Sequence, residues 1–122
     1  MRSILIVDDH PDIRRLLSVT LGKDHLITEA ENGARALEAI KKHRPAIVLL
    51  DVMMPGEIDG LQVLQSIKSN PDTRSILVAM ISARGQEADS EVARSHGADA
   101  YFIKPFSPLE VVNWVKIQLA AP

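Results

Sequence analysis

The chain has no cysteine, so neither a disulfide framework nor a thiolate zinc site is possible. Aromatic residues are scarce at 3%, yet all four (Tyr101, Phe102, Phe106 and Trp114) fall near the C-terminal end, which marks that part for attention. Neither sign of charge dominates. Fourteen basic against sixteen acidic residues leave a formal net charge of -2, and the basic residues form no run longer than a pair such as Arg14-Arg15 or Lys41-Lys42. That distribution argues against nucleic-acid binding by this domain. No apolar run approaches the length of a membrane span, and the opening "MRSILIVDDH" reaches acid too early for a secretory signal. The expectation is a soluble, cytoplasmic protein with no membrane contact. No repeat, low-complexity stretch or Ser/Gly-rich linker interrupts the sequence, so residues 1–122 are read as one domain with one core.

What is present is a rhythm of strand-like and helix-like segments, the signature of βα units. "SILIV" (3–7), "AIVLL" (46–50) and "ILVAMI" (76–81) are continuous apolar runs, as expected of central parallel strands covered on both faces. "HLITEA" (25–30) and "DAYFIK" (99–104) mix polar and apolar residues and read as edge strands. Pro11 opens a first helix that turns Ile13, Leu16, Leu17, Thr20 and Leu21 to one face and closes at Gly22. A second (33–43) carries Ala34, Leu37 and Ile40 inward, and a third (60–69) Leu61, Leu64 and Ile67. Residues 85–96 offer only Ala88, Val92 and Ala93 to bury, so the fourth helix is the weakest and the place to look for adjustment. The last begins at "SPLE", with Ser107 as cap, Pro108 in the first turn and Glu110 at capping-box spacing, and buries Val111, Val115 and Leu119.

The chemistry lies at the ends of the strands. Parallel strands present their C-terminal ends at one rim, where a doubly wound sheet opens a crevice. Asp8 and Asp9 end the first run, Asp51 the third, Ser82 the fourth and Lys104 the fifth. Carboxylates this close repel unless a cation or a shared proton intervenes. An all-oxygen donor set favours magnesium, and the four histidines show no metal-ligand spacing that would favour zinc. Asp51, alone at the end of the middle strand, is the candidate nucleophile toward phosphorus, with Asp8 and Asp9 as the metal-holding pair. Lys104 and Ser82 can donate to phosphoryl oxygens. His10, beside the acidic pair, is read as a solvated turn residue.

With "VDD", "LLDVMMPGEIDG", "ISA" and "YFIKPF" in order and at matching intervals, essentially the whole chain resembles a response-regulator receiver domain of two-component signalling. The resemblance implies an α/β fold, a (βα)5 flavodoxin-like parallel sheet of strand order 2-1-3-4-5. It implies Asp51 as phosphoacceptor, Asp8, Asp9, Asp51 and the Met53 carbonyl as Mg2+ ligands, and Ser82 and Lys104 as phosphoryl contacts. It further implies a cis Lys104-Pro105 bond, Ser82 and Tyr101 as the switch pair, and Met53 and Arg84 as residues that flank the phosphoryl group and tune its lifetime. The implied partner is a sensor histidine kinase or a histidine phosphotransfer protein. The implied output surface is the fourth helix, fifth strand and fifth helix, and the domain catalyses only its own phosphorylation and dephosphorylation. The turn "PGEIDG" is one residue longer than the common family form. Trp114 and Ile117 fall off the buried stripe of the last helix and offer either a surface for an effector or a second copy, or cover for the core margin. Rival readings are a magnesium-dependent phosphohydrolase and an interaction module independent of phosphate.

Overall fold

Three continuous apolar runs and two of mixed composition set the frame. In the computed structural model, which describes residues 2–83 and 88–120, they form β1 (Ser3–Val7), β2 (Leu26–Ala30), β3 (Ile47–Asp51), β4 (Leu77–Ala83) and β5 (Ala100–Lys104). All pair in parallel, in the order β2-β1-β3-β4-β5. The helices α1 (Pro11–Leu21), α2 (Gly33–His43), α3 (Gly60–Ser69), α4 (Ala88–Ser95) and α5 (Pro108–Leu119) alternate with the strands. The expected flavodoxin-like architecture is the one observed, with the mixed-composition runs at the two edges.

Two apolar layers hold the helices to the sheet. On one face Val48, Leu50, Val78 and Met80 meet Ala36 and Ile40 of α2, Val63, Leu64 and Ile67 of α3, and Ala93 of α4. On the other, Ile47, Leu49, Ala79 and Ile81 meet Leu17 and Leu21 of α1 and Val111 and Val115 of α5. Every residue of β3 is buried, which is why its sequence shows no polar alternation. Each large aliphatic side chain sealed in this way contributes about 1.5–3 kcal/mol.

Local differences from the sequence reading have physical causes. On α2 the inward alanine is Ala36, and Ala34 is exposed, because Gly33 is pressed against Ile58, where a Cβ would meet the Ile58 carbonyl oxygen and side chain. On α3 Val63 joins Leu64 and Ile67 in the core, with Leu61 only partly covered. Leu16 of α1 and Val92 of α4 are largely exposed. Ser107 stands at the N-cap of α5 but its side chain makes no capping bond, so the expected capping box is absent there. The capping box that does form is at α3, where Asp59 Oδ1 accepts from Gln62 N and Gln62 Oε1 accepts from Asp59 N. Trp114 meets Phe102 edge-on, with ring centroids 6.3 Å apart, and covers the core margin. Ile117 is 71% exposed.

The lower end of the sheet is tied by one lysine. Lys68 Nζ donates to the carbonyl oxygens of Arg74 (3.1 Å) and Ile76 (2.7 Å) and to Asp99 Oδ2 (3.1 Å). Asp99 Oδ2 also accepts from Val78 N at 2.8 Å. Beside it Gln65 Nε2 lies 3.1 Å from His96 Nε2, so the turn between α4 and β5 is fastened to α3.

Candidate functional site

Because β1 and β3 are neighbours, the acids that end them converge. The Ile4↔Ile47 to Val7↔Leu50 register brings the ends of β1 and β3 level, so Asp8 and Asp9 emerge beside Asp51. Asp8, Asp9, His10 and Asp51 each place one donor atom so that all lie within 4.8 Å of one another. Asp8 and Asp51 are buried, Asp9 is partly exposed and His10 lies at the surface. Lys104, at the end of β5, reaches back with Nζ 3.0 Å from Asp8 Oδ2 and 3.5 Å from Asp51 Oδ2. The Lys104-Pro105 bond is cis.

Burial and like charge make the Asp51 carboxylate costly. Its pKa rises from the usual 3.8 to about 6. Loss of water is the largest cause, followed by repulsion from Asp8; Lys104 and the Met53 N–H pull the value down, and Asp9 adds a smaller upward push. The Met53 N–H donates to Asp51 Oδ1 at 3.3 Å. Met53, at the start of the turn, is therefore in contact with Asp51. The chain takes up the turn further on, at Gly56 with φ 101° and at Ile58 packed on Gly33. Gly60 closes the turn beneath the acid, where a Cβ would run into the Asp51 carbonyl oxygen.

Ser82 is fully buried, and its hydroxyl donates to the Ala83 carbonyl oxygen at 3.1 Å. β4 runs on through Ala83, so Ser82 sits inside the strand rather than after it. Met80 faces Tyr101 across the β4-β5 ladder, and Ser82 lies two residues on, so Ser82 and Tyr101 share one face of the sheet. Tyr101 is half-buried against the α3 and α4 side of the core. The Met53 side chain is exposed. Arg84 lies outside the described residues.

Two contributors escaped the sequence reading. His10 is exposed, as a solvated turn residue should be, yet its backbone N–H and its ring Nδ1 both contact Asp8 Oδ1 at 2.9 Å, and Nδ1 lies 3.1 Å from Asp9 Oδ1. Its adjacency to the acidic pair was the available signal. Arg14, one turn into α1, donates from Nη1 to the Asp8 carbonyl oxygen at 2.7 Å and from Nε to Glu29 Oε1 at 3.2 Å. Nothing in its spacing marked it.

The donor set fits a hard divalent cation. Three carboxylates converge with one lysine as counter-charge, and the buried oxygen Asp9 Oδ1 makes no hydrogen bond, although His10 Nδ1 lies 3.1 Å from it. Asp8 and Asp9 are placed to hold such an ion, with Asp51 within reach of it.

Residues 4–116 match the family described as the response regulator receiver domain. Over 117 residues the chain is 44% identical to the transcriptional regulatory protein SrrA of Staphylococcus aureus, covering 95% of this chain and 47% of that protein. The chain thus spans about half the length of the curated relatives it matches. Its fold is similar to a putative response regulator from Chloroflexus aurantiacus, with a TM-score of 0.89 at 33% identity and 98% of both chains covered. It is also similar to the receiver domain of NtrX from Brucella abortus, with a TM-score of 0.88 at 32% identity, covering 98% of this chain and 99% of that one.

Proposed function

The chain belongs to the response regulator receiver family, and we propose that Asp51 accepts a phosphoryl group from a histidine kinase or histidine phosphotransfer protein in a Mg2+-dependent step. The observation that carries this reading is a buried Asp51 carboxylate held between Lys104 at 3.5 Å and the Asp8–Asp9 pair. Asp8 and Asp9, with the Met53 carbonyl, would hold the Mg2+. When bound, the ion neutralises charge on the phosphoryl oxygens.

The residues of the chain divide the remaining work. An Asp51 carboxylate oxygen attacks phosphorus in line; a P–O bond forms, the P–N bond to the donor histidine breaks, and the imidazole nitrogen leaves with the electron pair. Lys104 moves its ammonium from Asp8 toward a phosphoryl oxygen, and the Ser82 hydroxyl gives up the Ala83 carbonyl for another. Withdrawal of Ser82 opens room on the face it shares with Tyr101, and Tyr101 follows inward. Phosphorylation thereby shifts the population of the α4-β5-α5 face, which an effector or a second copy reads; Leu109 and Ile117 of α5, Ile103 of β5 and Val92 of α4 are exposed apolar residues on these elements. Met53 and Arg84 flank the phosphoryl group and tune its lifetime. The domain acts in the cytoplasm, turns over no free substrate, and contacts neither nucleic acid nor membrane itself.

The test is labelling with a small phosphodonor and Mg2+. The product should be acid-labile and hydroxylamine-sensitive, and Asp51→Asn should abolish it. Labelling retained at another residue removes Asp51 from the mechanism.

A further inference from the structure

His10 occupies a position that the carboxylate chemistry does not explain. Its backbone is extended at the start of α1 (φ -91°, ψ 113°), and Pro11 behind it disfavours the helical alternative. The ring is therefore held over the acidic pair. Nδ1 lies 2.9 Å from Asp8 Oδ1 and 3.1 Å from Asp9 Oδ1. Donors at about 2.1 Å from a six-coordinate ion sit about 3 Å apart along each octahedral edge. Both distances from Nδ1 to the carboxylate oxygens thus already match such an edge. The ring is 64% exposed, so a hydrated ion can approach it from solvent.

From this geometry, and resting on the divalent-ion site proposed above, we infer that His10 is a nitrogen ligand that gives this centre a preference for borderline transition ions over Mg2+. Imidazole suits Co2+, Ni2+ and Zn2+, whereas Mg2+ is satisfied by oxygen and water. With its proton on Nε2, the ring offers Nδ1 to an ion bridging Asp8 and Asp9, and the present Nδ1···Oδ1 contact gives way to a shared ion. The absence of paired histidines in the sequence does not bear on this, because one imidazole among three carboxylates forms a mixed donor set.

The test uses the whole chain with Mn2+ as a paramagnetic probe and pulsed electron paramagnetic resonance. The expected result is nuclear modulation from a directly bound imidazole nitrogen, altered when the protein carries 15N-histidine and lost in His10→Asn. Losing even a supporting partner of a ligand costs about 10- to 100-fold in metal affinity. His10→Asn should therefore weaken Co2+ by at least about tenfold while Mg2+ stays within about twofold. Mn2+ that binds, is released by Asp9→Asn, and shows no imidazole coupling would leave the ion site standing and overturn the role of His10. Coupling that persists in His10→Asn would also overturn it. Failure of Mn2+ to bind at all would sink both the site and the inference.

Discussion

The Lys104 ammonium lies nearer to Asp8 than to Asp51, at 3.0 Å against 3.5 Å. The lysine is thus paired mainly with Asp8, and its effect on Asp51 is electrostatic.

That placement makes the lysine a lever on Asp51 protonation. Lys104 lowers the Asp51 pKa against the upward push of burial and Asp8. Removing the positive charge in Lys104→Met disfavours the ionised form, so the Asp51 carboxyl should titrate above its present value of about 6. Carboxyl carbon NMR on aspartate-labelled protein without divalent ion measures this, and an unchanged or lower value contradicts it.

The same shift makes stability depend on pH with a defined sign. Asp51 has a folded pKa of about 6 against an unfolded 3.8, so the folded chain binds the proton more tightly. Between those values the unfolded state ionises first, and stability falls as pH rises through the window. Asp51→Asn removes that loss. Without divalent ion the variant should be more stable than the parent near pH 7, by up to about 3 kcal/mol, with the advantage shrinking toward pH 4. Urea titrations at both pH values read it.

Binding of Mg2+ should reverse the cost. At a concentration about a hundred times its dissociation constant, an ion that binds only the folded chain adds about 2.7 kcal/mol. The gain should be seen as a rise in Tm near pH 7, should shrink below pH 6, where Asp51 keeps its proton, and should be lost in Asp9→Asn. A rise that survives Asp9→Asn would place the ion elsewhere.

The turn after Asp51 rests on Gly60, whose missing side chain lets the Asp51 carbonyl pass. Gly60→Ala should cost about 1–3 kcal/mol through overpacking and weaken Mg2+ binding by shifting the acid. Gly56→Ala has a positive φ of 101° but open space around it, so it should strain the turn and leave Mg2+ affinity near that of the parent. Chemical denaturation and calorimetric Mg2+ titration separate the two.

Helix starts that look alike in sequence should respond differently. Asn32 Oδ1 accepts from Arg35 N at 2.8 Å and caps α2, whereas the Ser107 hydroxyl caps nothing. Asn32→Ala should cost about 1 kcal/mol and Ser107→Ala within about 0.5 kcal/mol of zero. Equal losses would show that Ser107 caps α5 in solution.

The central strands were legible because burial on both faces leaves an unbroken apolar run, and Asp51 was legible because it ends one. The edge strands were legible for the opposite reason. On α2 Leu37 and Ile40 were legible, but the buried alanine was not, since Ala34, Ala36 and Ala39 are chemically equivalent and Ala36 rather than Ala34 is the buried one. His10 and Arg14 join the site through contacts at the start of α1, which periodicity does not report. Ser107 shows the converse: a correct spacing whose side chain does not use it. Nothing in the sequence marked Lys68, whose three oxygen partners come from residues six or more positions away along the chain.

The strand order also sets how far a signal must travel. β3, β4 and β5 are consecutive neighbours, with Asp51 opposite Ile81 and Ala83 opposite Lys104. From Asp51 to the outermost strand on that side is two ladder spacings, roughly 10 Å. A signal from Asp51 to that margin would run sideways through one intervening strand, with β2 at the opposite margin outside its path.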